Sequence, residues 1–390
     1  MPGPATLARR MGLALAGARG RVDDRLAVTQ SAPHLRDAFS VARALRCIVI
    51  ALLPCLFMAF YNTGYQANVN LAIAGLETAP GWRGPVLDGF GIGTNVTDFW
   101  AAVVHGGLYF LPVLAVTLLV AGLWGQVFAR LRNRPVGEGL LVIALIFALL
   151  LPPSIPLWQA ALGMSFAIVF GREIFGGLGK NFLNPALTGL AFLYVTYPRE
   201  MVSETAWVVV DAFTAPTYLQ VTARQGPEIV AWLPTGWLQS LVGLVPGPFG
   251  TTSTLACFAG AGLLLWWRVA SARVMAGVLF GMIAATLLFK YLDEPINAFA
   301  TLSWHWHLTL GGFAFGAVFL ATDPASAAMT NTGRWVYGLF IGAAIVLIRV
   351  ANPTHPDGVM FAILLGNIFA PLIDHLVVRA NIRRRVRRGG

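Results

Sequence analysis

Long apolar runs constrain this chain more than any other feature of it. Stretches such as 44–62, 105–128 and 273–291 approach the roughly 20 residues that a helix needs to cross the hydrocarbon core of a bilayer, and they hold few charges. A soluble domain of similar size carries about 25% charged residues. Here the charged fraction is 11% and the hydrophobic fraction 57%, with a mean hydropathy of +0.70. Too little polar material is present to coat a water-exposed globule, so the expected fold is all-α and polytopic in the membrane.

About ten spans are predicted, near 44–62, 105–128, 137–152, 154–171, 184–198, 253–268, 273–291, 305–321, 334–350 and 358–378. Some are short, and Pro152, Pro153, Pro156, Pro185 and Pro324 interrupt the pattern. Broken helices are tolerated at membrane depth only where protein or a cavity satisfies the freed backbone groups. These prolines therefore mark interior positions.

The net charge of +10 gathers at the two ends and in short turns. Arg130, Arg132 and Arg134 follow the second span, Arg172 and Lys180 the fourth, and Arg268 and Arg273 flank the turn after the sixth. All fall on one side of a ten-span arrangement, the cytoplasmic side by the bias of Lys and Arg toward the interior, which also puts both termini there. The expected organisation is a cytoplasmic segment 1–43, a membrane domain 44–378 and a basic cytoplasmic tail 379–390. Within the membrane domain, loop 199–252 faces outward. Basic ends flanking apolar spans are topology signals, and nucleic acid is not an expected partner; membrane lipid is. The three cysteines, Cys47, Cys55 and Cys257, have no metal-ligand spacing. The short apolar run after Met11 lacks a clean cleavage site, so no signal peptide is expected.

Several segments carry polar chemistry. Loop 199–252 contains Asp211-Ala212-Phe213-Thr214-Ala215-Pro216-Thr217, which by itself reads as a polar turn or helix cap. Upstream stands Gly171-Arg172-Glu173 through Gly179-Lys180-Asn181-Phe182-Leu183-Asn184-Pro185, where Asn184 suits a helix N-cap with Pro185 in the first turn. Downstream come Pro246-Gly247-Pro248-Phe249-Gly250-Thr251-Thr252-Ser253, Trp304-His305-Trp306-His307, Thr322-Asp323-Pro324, Arg349-Val350-Ala351-Asn352-Pro353 and Ile373-Asp374-His375. Ionisable residues near membrane depth, such as Asp323 and Asp374, are costly there and are candidates for function. Asp323 equally suits a cap, and Asp374 could pair with Arg379 or Arg383. The Trp304–His307 segment reads as an interfacial aromatic belt rather than a metal site. Asn184-Pro185 and Asp323-Pro324 echo one another and hint at duplicated halves.

In this order and spacing, from about His34 to the last arginines, these segments resemble the NqrB/RnfD family, which comprises membrane subunits of the Na+-translocating NADH:quinone oxidoreductase (Nqr) and of the Rnf complex. The Nqr branch is the nearer resemblance. It implies a flavin-bearing subunit of a six-subunit complex in the bacterial inner membrane, passing electrons to ubiquinone and coupled to export of Na+ or H+. It implies FMN carried on Thr217 through a phosphoester installed by a flavin transferase, with Asp211 and Thr214 in the attachment motif. It implies a non-covalent riboflavin near Asn181 and Asn184, a quinone region at Gly122 and Trp124, and cation-path candidates at Asp323 and Asp374. The family's acidic position after that tryptophan is Gly125 here, and Glu138 is the nearest substitute. No dinucleotide fingerprint follows a strand, so NADH is expected on another subunit. The remaining alternatives are a ferredoxin-using Rnf-type subunit and, in another class, a solute transporter or channel with broken helices.

Overall fold

The computed structural model describes residues 40–133, 135–202, 217–226, 236–292, 298–352 and 357–389, and no strand occurs among them. Residues 1–41 separate as one unit and 42–390 as another. In chain order the helices are α1 Val41–Ala74, α2 Arg83–Gly89, α3 Phe99–Leu131, α4 Leu140–Leu150, α5 Leu157–Ile168, α6 Pro185–Thr196, α7 Pro198–Val202 and α8 Tyr218–Gln225. There follow α9 Gly236–Val242, α10 Thr254–Trp266, α11 Ala272–Tyr291, α12 Ala298–Thr301, α13 Trp304–Thr309, α14 Phe313–Phe315, α15 Asn331–Ala351 and α16 Val359–Gly389. Two π-helical turns, Val169–Glu173 and Gly316–Leu320, continue α5 and α14.

Among the described residues five helices, α1, α3, α11, α15 and α16, are long and apolar enough to cross a membrane. The other expected spans coincide with helix too, but in short or broken pieces: α4, α6 and α10 are apolar and shorter, α5 ends in its π turn, and 305–321 divides into α13, α14 and a π turn. The basic tail is the continuation of α16, which runs unbroken to Gly389.

The boundaries follow from local chemistry. Asp98 caps α3 by accepting from the Trp100 N–H at 2.9 Å, Ser253 caps α10 through Ala256 at 3.1 Å, and Thr330 caps α15 through Gly333 at 3.0 Å. Each hydroxyl or carboxylate satisfies a first-turn donor that has no partner within the helix. Pro152, Pro153 and Pro156 fall between α4 and α5. Pro54, Pro112 and Pro371 instead lie inside long helices.

Helix α4 is apolar on every face and is buried on all of them except at Leu141; such a helix belongs at the centre of a bundle. Its last carbonyls are satisfied from a distant loop. The Phe249 N–H donates to Leu151 at 3.2 Å and the Gly250 N–H to Leu149 at 2.8 Å.

The most extensive helix pairing joins α11 to α15. Gly277 and Gly281 on α11 face Gly338 and Gly342 on α15, and a methyl group on Gly281 or Gly342 would fall on the Leu339 or Val278 carbonyl. Paired small residues four apart let two backbones close up where lipid offers no hydrophobic drive for association. Gly64 and Gly106 do the same between α1 and α3. Gly342→Leu should therefore destabilise the protein by about 1–3 kcal/mol through overpacking. Gly262→Leu, with open space at that position, should cost nothing measurable. Thermal denaturation of the detergent-purified variants checks this, and equal effects would contradict the close packing.

Candidate functional site

Thr217 begins α8 and caps it. Its Oγ1 accepts from the Gln220 N–H at 3.3 Å, and the Gln220 Oε1 accepts from the Thr217 N–H at 3.0 Å. This reciprocal capping box fixes the hydroxyl at the positive end of a short helix. Thr217 lines an open cleft. Tyr194 from α6, the 245–248 turn, Thr251, Thr252, the turn after α13 and Asp357 complete its walls.

Three buried polar atoms on those walls have no hydrogen-bond partner among the described residues: Thr251 Oγ1, Thr252 Oγ1 and Asp357 Oδ1. Each such atom costs about 1–3 kcal/mol if nothing pairs with it, so three in one cleft point to something that binds there. Thr251 and Thr252 are brought to the wall by the loop whose preceding N–H groups cap α4. Asp357 stands just before α16. Burial pushes its carboxyl above the usual carboxylate range, opposed by the Arg349 charge and by the Val359 and Gly312 N–H groups.

Beneath the cleft, Arg349 of α15 is fully buried. Its guanidinium reaches His307 Nδ1 at 3.1 Å, the His307 carbonyl at 3.0 Å and the Leu310 carbonyl at 2.8 Å. Gly311 makes the turn that exposes these acceptors. Its φ is +69°, and a Cβ there would stand 3.2 Å from the Arg349 guanidinium and 3.5 Å from Asp357 Oδ1. The Trp304–His307 segment divides in its exposure. Trp304 is exposed, whereas His307 is buried because Arg349 needs its acceptors.

A second polar cluster joins the turn before α6 to the turn at Asp323. The Asn184 Oδ1 accepts from the Ala186 and Leu187 N–H groups at 3.0 and 3.3 Å, the N-cap that its position before Pro185 predicts. Its Nδ2 donates to Asp323 Oδ2 at 3.3 Å. Asp323 also accepts from the Ala325 N–H at 3.2 Å and the Ser326 hydroxyl at 3.0 Å. The two echoed sites therefore touch, and each follows a π turn, although the next helix after Asp323 starts only at Asn331. Asn181 folds back on its own loop, accepting from the Gly179 N–H at 3.2 Å and donating to the Leu183 carbonyl at 2.9 Å.

Asp374 is bound away from the tail arginines. It accepts from the Met329 N–H at 2.7 Å, the Thr330 N–H at 3.0 Å and the Thr330 hydroxyl at 2.6 Å. From Thr330 to Arg349 is about 28 Å at the rise of an α-helix, close to the hydrocarbon thickness.

The remaining predicted residues lie apart from both clusters. Trp124 packs in the core beside Phe128, while Gly122 faces open space. Glu138 is exposed, and its carbonyl accepts from buried Arg172 at 2.6 Å. Arg172 lies 3.7 Å from Glu173, which also pairs with Arg132 at 2.9 Å. At Gly125 a Cβ would meet the tip of the Leu140 side chain. Asp211 and Thr214 lie outside the described residues.

Sequence reasoning did not single out Asp357, and it quoted Arg349 in a motif with no role given to it. The available signal was an arginine within an otherwise apolar run. The Thr251-Thr252 pair stood in a quoted motif with no role given to it.

A family model described as the NQR2, RnfD, RnfE family matches residues 28–383. The B subunit of the Na(+)-translocating NADH-quinone reductase of Ectopseudomonas mendocina is 47% identical over 363 residues, covering 93% of this chain and 90% of the relative. The B subunit of the same reductase from Stutzerimonas stutzeri is 46% identical with the same coverage. That from Chromohalobacter salexigens is 45% identical over 361 residues, covering 93% of this chain and 87% of the relative.

Arg349→Met should destabilise the protein by about 3–5 kcal/mol, because buried acceptors lose their donor. Asn184→Ala should cost about 1 kcal/mol as a lost cap. Thermal denaturation of the two variants side by side measures this, and equal costs would contradict the reading of Arg349 as the tie beneath the cleft.

Proposed function

The chain belongs to the NQR2, RnfD, RnfE family, and from that premise we propose that it is the flavin-bearing membrane subunit of a Na+-translocating NADH:quinone reductase, with FMN esterified to Thr217. Subunit membership in such a reductase rests on the 45–47% identity to named B subunits across 93% of the chain. The observation that carries the flavin reading is the capped Thr217 hydroxyl on the wall of a cleft with three buried, unpartnered polar atoms.

The residues present suit that group. A phosphoester at Thr217 puts its negative charge beside the first N–H groups of α8, where the helix dipole favours an anion. The ester oxygen keeps a lone pair for the Gln220 N–H, so attachment need not unwind the cap. Thr251, Thr252 and Asp357 offer polar partners to a ring, and Tyr194 and Pro246 offer apolar cover. Bound FMN would supply the redox chemistry, and the protein supplies position and electrostatics. Thr217 is then a tether, and Arg349 holds the floor.

Three further assignments go with this reading. Ten spans with both ends cytoplasmic put Thr217 on the outer side and the Asn184–Asp323 contact on the inner side. Riboflavin belongs at that inner cluster, where the amide of Asn184 suits a flavin's mixed donor and acceptor edge; Asn181, turned onto its own loop, stands beside it. Ubiquinone is the electron acceptor, with Gly122 and Trp124 near its region. Asp323, Asp374 and Glu138 are the acids for the cation path.

Thr217→Ala in the complex co-expressed with a flavin transferase should abolish the fluorescent band in denaturing gels under ultraviolet light. Thr217→Ser should keep it. A band that persists in Thr217→Ala would refute the attachment site.

A further inference from the structure

A tether needs only a hydroxyl on an accessible turn, yet the Thr217 cleft also holds unpaired groups of defined polarity. Thr251 and Thr252 bring hydroxyls that can donate. Asp357 brings a carboxylate oxygen that can only accept while ionised. Thr251 and Asp357 come together around Gly312, where a Cβ would stand 3.8 Å from Thr251 Cβ and 3.9 Å from Asp357 Oδ2. The residues lining the cleft thus hold two donors and an acceptor to which the described residues supply no partner. A quinone offers only carbonyl acceptors and leaves the carboxylate opposed. The imide edge of an isoalloxazine ring offers carbonyl, N–H and carbonyl, which is the complementary set.

Resting on the reading that Thr217 carries FMN, we propose that Thr251, Thr252 and Asp357 form the recognition edge of this cleft for the flavin imide, with Asp357 accepting the imide N–H and the hydroxyls donating to its carbonyls. The carboxylate is held for that role by its surroundings. Gly312 and Val359 N–H groups reach it, and the Arg349 charge lies behind it. Arg349 is in turn fixed by His307 and Leu310. A ligand N–H at Oδ1 supplies the partner that the fold leaves out and stabilises the ionised carboxylate that burial disfavours.

Opposite electrostatic effects follow from the two kinds of group. Asp357→Asn removes a negative charge beside the ring and leaves Arg349 uncompensated, so the reduced flavin is stabilised and its midpoint potential rises. Thr251→Val and Thr252→Val remove donors from carbonyls that gain charge on reduction, so the potential falls. A merely structural role predicts no such opposition of sign.

The test is spectroelectrochemical titration of the intact purified complex, run beside in-gel flavin fluorescence for each variant. The fluorescent band should persist throughout, with the potential shifted up in Asp357→Asn and down in the threonine variants. The two threonine variants, close in shape to the original, carry the test alone if Asp357→Asn does not assemble. A retained band with unchanged potentials, or with shifts of the same sign, overturns the recognition edge and leaves the attachment reading intact. A wild-type complex with no band overturns the attachment reading and the recognition edge together.

Discussion

The close approach of α11 and α15 is the constraint on which the rest depends. Four glycines bring the backbones so near that side chains cannot fit between them. That contact fixes α15 as a rod through the bundle. Its first turn is tied to α16 by Asp374 through Thr330, and its last turns carry Arg349 beneath the Thr217 cleft. The Asp374–Thr330 tie and Arg349 are thereby held about 28 Å apart on one rigid element. On the proposed reading, this rod spans the barrier between the two flavins.

Short helices inside such a bundle leave terminal N–H and C=O groups that lipid cannot satisfy. The chain meets that cost with its own loops. The 245–250 turn supplies donors to the end of α4, Asn184 caps α6, and its free amide hydrogen bonds Asp323 across the molecule. The same loops that finish the helices deliver Thr251, Thr252 and Asp323 to their places. Site and scaffold are one structure here.

Much of this was legible in the sequence. Hydropathy located every long helix, because a run of some twenty apolar residues has few other fates. The Asn184 cap was legible because Asn-Pro has a local meaning. Span completeness was not, since burial of α4 and the division of 305–321 depend on neighbours remote in the chain. Asp374 looked like a partner for nearby arginines, and only the return of α16 past the start of α15 gives it Thr330 instead. His307 looked interfacial until Arg349, forty-two residues on, claimed it. Thr217 stood out by family resemblance more than by physics, for a capped threonine on a polar turn is common. What physics adds is the cleft around it, assembled from four distant stretches that no local pattern predicts.

The central claim is a flavin on Thr217, and peptide mass spectrometry tests it most directly. Trypsin should release residues 200–224, which contain Thr205, Thr214, Thr217 and Thr222, from complex purified out of transferase-containing membranes. The account predicts a mass increment of FMN less one water, with fragment ions that assign it to Thr217. An unmodified peptide, or the increment on Thr214 or another residue, would contradict it.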